Sequence, residues 1–150
     1  MPLIKNEVSI DADIETVYAL ARQVETFPQY MPDIESVVVT ERSEDGNRTV
    51  TEWVGVASEV KLKLRWTEED IWDHSEHTCR FTQLKGDYQE YEGFWQFVPE
   101  ADGKTTFKSE FKYEYEIPLI GPLIKALIAK LARTNMQRIL EAIKIRSEQQ

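Results

Sequence analysis

Cysteine is nearly missing from this chain. Cys79 is the only one, so no disulfide can staple the fold from within, and stability must come from a packed core. Histidine is almost as scarce, with only His74 and His77 available for metal binding or imidazole chemistry. No apolar run approaches the roughly 18 residues that span a bilayer. The opening MPLIKNEVSI has neither a basic nor a hydrophobic signal region, so a cytoplasmic protein is expected. On that expectation the sequon Asn47-Arg48-Thr49 is a chance match. Basic charge is also in deficit. A formal net charge of −9 disfavours DNA and anionic membrane surfaces as partners, and no stable membrane insertion is expected.

What is present suits one globular domain over 1–150, a length that buries roughly 70% of the unfolded surface. Apolar residues make up 41% and aromatics 11% of the chain, with four Trp. Large aromatics fill wide cores or line pockets. The charge is uneven. From Leu119 onward six basic residues face two acidic ones, which fits a helix with a solvated basic face.

Periodicity orders the elements. Leu3 to Ile10 reads as a strand. Asp13 is placed to cap a helix from Ile14 to Arg22, and a short helix follows from Glu25 to Tyr30. Six strands come next: 34–42, 48–57, 60–72, 77–84, 88–99 and 105–117, separated by turn clusters such as Glu44-Asp45-Gly46-Asn47. The last has the clearest alternation, with Phe107, Ser109, Phe111, Tyr113, Tyr115 and Ile117 on one face and charged residues on the other. A helix from Pro122 to about Arg146 then carries Leu123, Ile124, Leu127, Ile128, Leu131, Met136, Ile139, Leu140 and Ile143 at helical spacing. The class is α+β, a curled antiparallel sheet around one long helix.

Two stretches resemble a known family. VSIDADIETVYALARQVETFPQYMPDIESV, with Val17-Tyr18 and Phe27-Pro28-Gln29-Tyr30, is similar to its opening. IPLIGPLIKALIAKL is similar to the start of its closing helix. The chain thus resembles the helix-grip superfamily of START domains, birch-pollen allergens and polyketide cyclase/dehydrase-like proteins, near its coenzyme Q-binding-protein-like bacterial members. The resemblance implies a seven-stranded sheet gripping the C-terminal helix. It also implies binding or transport of a lipid, quinone or polyketide-like aromatic in a hydrophobic cavity, with cyclase/dehydratase activity or a ribosome-associated interaction module as the alternatives. It implies no cofactor.

Alternation then names the expected ligand cavity: Trp53, Leu64 and Trp66; Phe81 and Gln83; Tyr91, Trp95 and Phe97; Ser109, Phe111 and Tyr113; and Leu127, Ile128, Leu131 and Asn135 on the helix. Small Gly93 and Ser109 are expected to leave space among the aromatics. Phe27, Tyr30, Met31 and Ile120 are expected at a portal, beside the apolar loop from Pro118 to Leu123. Tyr91, Tyr113 and Gln83 are the weak catalytic candidates. The pair His74 and His77 is expected in a solvated turn with no metal. In the run Glu68-Glu69-Asp70 alternation turns Glu68 and Asp70 one way and Glu69 the other. The carboxylates are expected outside, with ordinary acidity. Cys79 reads as an inward-facing small hydrophobe.

Overall fold

A computed structural model describes residues 3–115 and 121–150. Strand β1 spans Leu3–Ile10, helix α1 Ile14–Arg22, and a 3-10 turn Val24–Gln29. Strands β2 (Ile34–Arg42), β3 (Arg48–Ala57), β4 (Leu62–Asp73), β5 (Thr78–Gly86), β6 (Glu90–Pro99) and β7 (Thr105–Glu114) follow, and helix α2 closes the chain from Pro122–Glu148. All seven strands form one antiparallel sheet in the order β1-β7-β6-β5-β4-β3-β2. The first strand therefore lies beside the last, and α1 belongs to the connection between the two edges. This is the helix-grip fold.

Local chemistry sets these elements. Asp13 caps α1 as its sequence position predicts, accepting from the Thr16 amide at 3.4 Å and its hydroxyl at 2.6 Å. Strand β4 begins at Leu62 rather than Val60, because Ser58–Val60 winds into a 3-10 turn ended by Lys61 at φ 53°. Strand β6 begins at Glu90 rather than Tyr88. The expected Ile117 end of the last strand lies outside the described residues.

The sheet and α2 enclose two different regions. One end is solid. Ile10, Val17, Phe27, Phe107, Leu140 and Ile143 are fully buried, the Phe97 and Phe107 rings stack at 4.3 Å, and Tyr18 meets Phe97 edge-on at 5.6 Å. Here α2 is tied down by polar contacts. The Asn6 side-chain amide donates to Arg133 O and Gln137 Oε1, and Lys144 Nζ donates to Ser9 O at 2.8 Å.

The other end is looser. Of the apolar stripe expected on α2, Leu123 is 85% exposed, and Ile124 and Leu127 are also exposed. Length explains this. A 27-residue helix runs ~40 Å, whereas an 8-residue strand such as β1 covers ~27 Å. The first two turns outrun the strand against which the helix packs. No described helix is long and apolar enough to cross a membrane.

Candidate functional site

Under the N-terminal half of α2 the sheet is hollow. A cavity of about 120 Å³ lies between β3, β4, β5, β6 and the helix. All four tryptophans line it: Trp53, Trp66, Trp72 and Trp95. The Trp53 and Trp66 rings stack at 5.8 Å, and Tyr91 lies 5.6 Å from Trp66 and 5.7 Å from Phe81. The volume admits one ring or a short chain, since a dry engineered cavity of about 150 Å³ takes up benzene.

Eleven of the expected cavity residues do border this space: Trp53, Leu64, Trp66, Phe81, Tyr91, Trp95, Phe111, Tyr113, Ile128, Leu131 and Asn135. Four do not. Phe97 and Ser109 are buried in the solid end. Gln83 is occupied by its own hairpin, donating from Nε2 to Tyr88 O at 2.8 Å. Leu127 lies on the exposed turns of α2.

Gly93 leaves no vacancy either. A Cβ there would collide with the Phe81 ring, which fills the space over the glycine. The expected portal residues are also displaced. Phe27 and Met31 are buried, with Phe27 packed 6.0 Å from Trp53 and 6.5 Å from Trp95. Tyr30 is covered by the Arg146 guanidinium at 4.9 Å, and Ile120 lies outside the described residues, as do Pro118 and Leu119 of the loop expected beside it.

The largest correction concerns acid. Glu68 and Asp70 are 4% and 3% exposed and border the cavity. They continue the inward face of β4 already marked by Leu64 and Trp66, and Trp72 extends it further. Strand period dictates this placement. The outward expectation gave charge precedence over periodicity. Sequence reasoning likewise missed Trp72 and Tyr88.

The two acids are held in a network. In register, Thr49 faces Asp70 and Thr51 faces Glu68 across the β3–β4 ladder. Thr51 Oγ1 donates to Asp70 Oδ2 at 2.7 Å and Thr49 Oγ1 to the same oxygen at 3.3 Å. Trp53 Nε1 donates to Thr51 Oγ1 at 2.7 Å, and Trp66 Nε1 to Glu68 Oε1 at 2.8 Å. The carboxyls also bond to each other. Burial drives Glu68 well above the ordinary carboxylate range, and the neighbouring Asp70 charge adds to that. Burial raises Asp70 as well, against the pull of bonds from Glu68, Thr51 and Thr49. The proton therefore belongs on Glu68, donated to an Asp70 already served by two hydroxyls.

Other titratable groups take other roles. Burial pushes the Cys79 thiol, on the cavity wall, well above its usual range, and the two acids add to this, which leaves it unreactive as a nucleophile. Tyr91 and Tyr113 are raised chiefly by burial. They remain neutral hydrogen-bonding groups, unsuited to act as bases at neutral pH. The histidines are not simply solvated. His74 Nδ1 bonds the Tyr18 hydroxyl at 2.8 Å and His77 Nε2 meets Glu15 at 2.7 Å. Burial holds the Tyr18 hydroxyl up to about 12. Among the described residues no cluster of three or more His, Cys, Asp or Glu could hold a metal ion.

Comparison with known proteins follows the same lines. The profile of the polyketide cyclase/dehydrase and lipid transport family matches residues 10–140. A crystal structure of a Thermus thermophilus protein is 36% identical, covers 97% of each chain, and superposes with a TM-score of 0.89. A START superfamily protein from Mycobacterium smegmatis is 21% identical over 98% of this chain and 97% of its own, with a TM-score of 0.81. The Zhui aromatase/cyclase from Streptomyces sp. R1128 is 16% identical over 98% and 93%, at 0.82. The last two share the fold alone. A search of curated proteins gave no match.

Proposed function

Because the chain belongs to the polyketide cyclase/dehydrase and lipid transport family, we propose that it binds a small hydrophobic molecule in the cavity between the sheet and α2. The observation that carries this reading is the wall itself: four indoles and two half-buried tyrosines, Tyr88 and Tyr91, around space that no described side chain fills. Core packing normally leaves few voids larger than a water. An aromatic-walled void with a few convergent polar groups is how small-molecule sites are built. Its volume favours a ligand, or a ligand segment, of one ring or about six carbons. A full lipid, quinone or polycyclic aromatic would insert one end and leave the rest at the exposed turns of α2.

A second reading, a cyclase or dehydratase, is favoured by one observation. The Glu68–Asp70 pair supplies an acid and a base side by side within the cavity, where either could move a proton on a bound carbonyl compound. Tyr91 and Tyr113 would then position that substrate.

Filling the space tests the first reading. Ile128 is half-buried on α2 and borders the cavity. Ile128→Trp is expected to weaken hexan-1-ol binding about tenfold or more by tryptophan fluorescence, with a fold intact by circular dichroism. Unchanged affinity in the folded variant would place the bound alcohol elsewhere and contradict the reading.

A further inference from the structure

The cavity is electrically one-sided. Among the described residues its lining includes three carboxyl groups, from Asp33, Glu68 and Asp70, and no Lys, Arg or His. Asp33 is already neutralised at the rim. Arg138 Nη1 reaches its two oxygens at 3.4 and 3.3 Å. Among the described residues Glu68 and Asp70 have no such partner. All of their described bonds come from neutral donors, Thr49, Thr51 and Trp66, or from each other. The pair therefore sits in an apolar chamber with no cation beside it among the described residues. Neutral donors soften a buried charge without cancelling it.

A second observation, independent of the acids, points to a polar ligand. Trp95 borders the cavity and is 5% exposed, yet its indole Nε1 meets no acceptor among the described residues. A buried donor left without a partner is costly, and an occupant carrying an acceptor would satisfy it. Trp95 lies two strands from Asp70, through β5, so this acceptor is a second group of the ligand; an ammonium carries none, and selection of amine over alcohol falls to the acids alone.

We propose that this cavity selects its ligand by charge, taking a small hydrophobic amine as its ammonium at the Glu68–Asp70 pair and excluding carboxylates of the same size. The inference rests on the cavity reading above and names the ligand class for that same site. The ammonium supplies the missing cation and donates to the free lone pairs of the two carboxyls. The aromatic faces of Trp53, Trp66 and Tyr91 favour a cation over an anion for the same reason, their negative π surfaces. The Asp33–Arg138 pair keeps the rim from competing for the ammonium.

The test is a matched series at pH 7.5: hexylamine, hexan-1-ol and hexanoate, followed by tryptophan fluorescence. Hexylamine is expected to bind about tenfold or more tightly than hexan-1-ol, with hexanoate weakest. Glu68→Gln keeps one negative charge on Asp70 and is expected to retain the preference. Glu68→Gln combined with Asp70→Asn removes the charge and is expected to bring amine and alcohol together. Hexanoate binding as tightly as hexylamine would overturn the proposal, as would a preference for amine that survives in the folded double variant. If the double variant does not fold, the three ligands against wild type still decide the matter. Failure of all three to bind would instead remove the cavity reading itself.

Discussion

Glu68→Gln is expected to make the protein more stable at neutral pH. The direction follows from proton linkage. Folding raises Glu68 well above its ordinary value of 4.5, so between those two values the folded protein holds a proton that the unfolded chain has released. The stability contributed by this group is full below the unfolded value and falls as pH rises toward the folded one, by about 1.4 kcal/mol per pH unit for one proton. Gln carries no such proton. Its carbonyl can still accept from Trp66 Nε1, and its amide can donate to Asp70, so the network of Thr51, Thr49 and Asp70 keeps its bonds. Urea denaturation is expected to show the variant and wild type alike near pH 4.5. By pH 7.5 the variant should be the more stable of the two, with a lead that grows as pH rises from 4.5. A variant less stable than wild type by the same amount at every pH would mean that folding does not raise Glu68, and a deficit that grows with pH would mean that Glu68 is ionised and well satisfied in the fold.

Phe107→Ala is expected to cost about 3–5 kcal/mol, among the largest losses available from a single truncation. Phe107 is fully buried, stacked on Phe97 at 4.3 Å and edge-on to Trp95 at 5.1 Å. Truncation there opens a void in a region that is otherwise filled. Leu131→Ala gives the contrast. Leu131 borders an existing cavity, so the change mainly loses the transfer energy of the side chain, about 2 kcal/mol or less. Urea midpoints for the two variants measure the difference. Equal losses would contradict the division of the interior into a solid and a hollow end.

The stabilising substitution and the proposed ligand preference concern the same residues. A buried acid pair without a cation is a cost to the folded protein, and retaining one is a common exchange of stability for function. The same geometry explains why occupancy by a cation would offset that cost and occupancy by an anion would add to it.

The sequence makes the architecture legible because each element carries its own local signal. Asp13 marks the start of α1, and strict alternation marks β7. Turn residues separate the hairpins closely enough that β2 and β3 begin and end at the expected residues. The interior is legible only in part. Alternation along β4 assigns Glu68 and Asp70 to the face of Trp66. Composition argues the opposite, since carboxylates normally stay in water. Periodicity prevails because Thr49 and Thr51 on the adjacent strand furnish donors that no local reading of β4 can see. The space at Gly93 shows the converse limit. A small residue announces room, but the Phe81 ring from the neighbouring strand takes it. On α2 the apolar stripe runs unbroken through Leu123, Ile124 and Leu127, and helical spacing alone gives no sign of where the covering strand stops. Phe27 and Met31 are expected at the mouth, yet both are buried, and the 3-10 turn packs Phe27 against Trp53 and Trp95.

The central claim is that the hollow end of the sheet, and not the surface, receives a small hydrophobic molecule. Two-dimensional ¹H–¹⁵N NMR during a hexan-1-ol titration tests it most directly, because each of the four indole N–H groups belongs to a tryptophan on the cavity wall. Saturable shifts at Trp53, Trp66, Trp72 and Trp95, with the amides of β1 and α1 unmoved, are the expected result. Shifts scattered over the exposed turns of α2, with the four indoles unchanged, would contradict it.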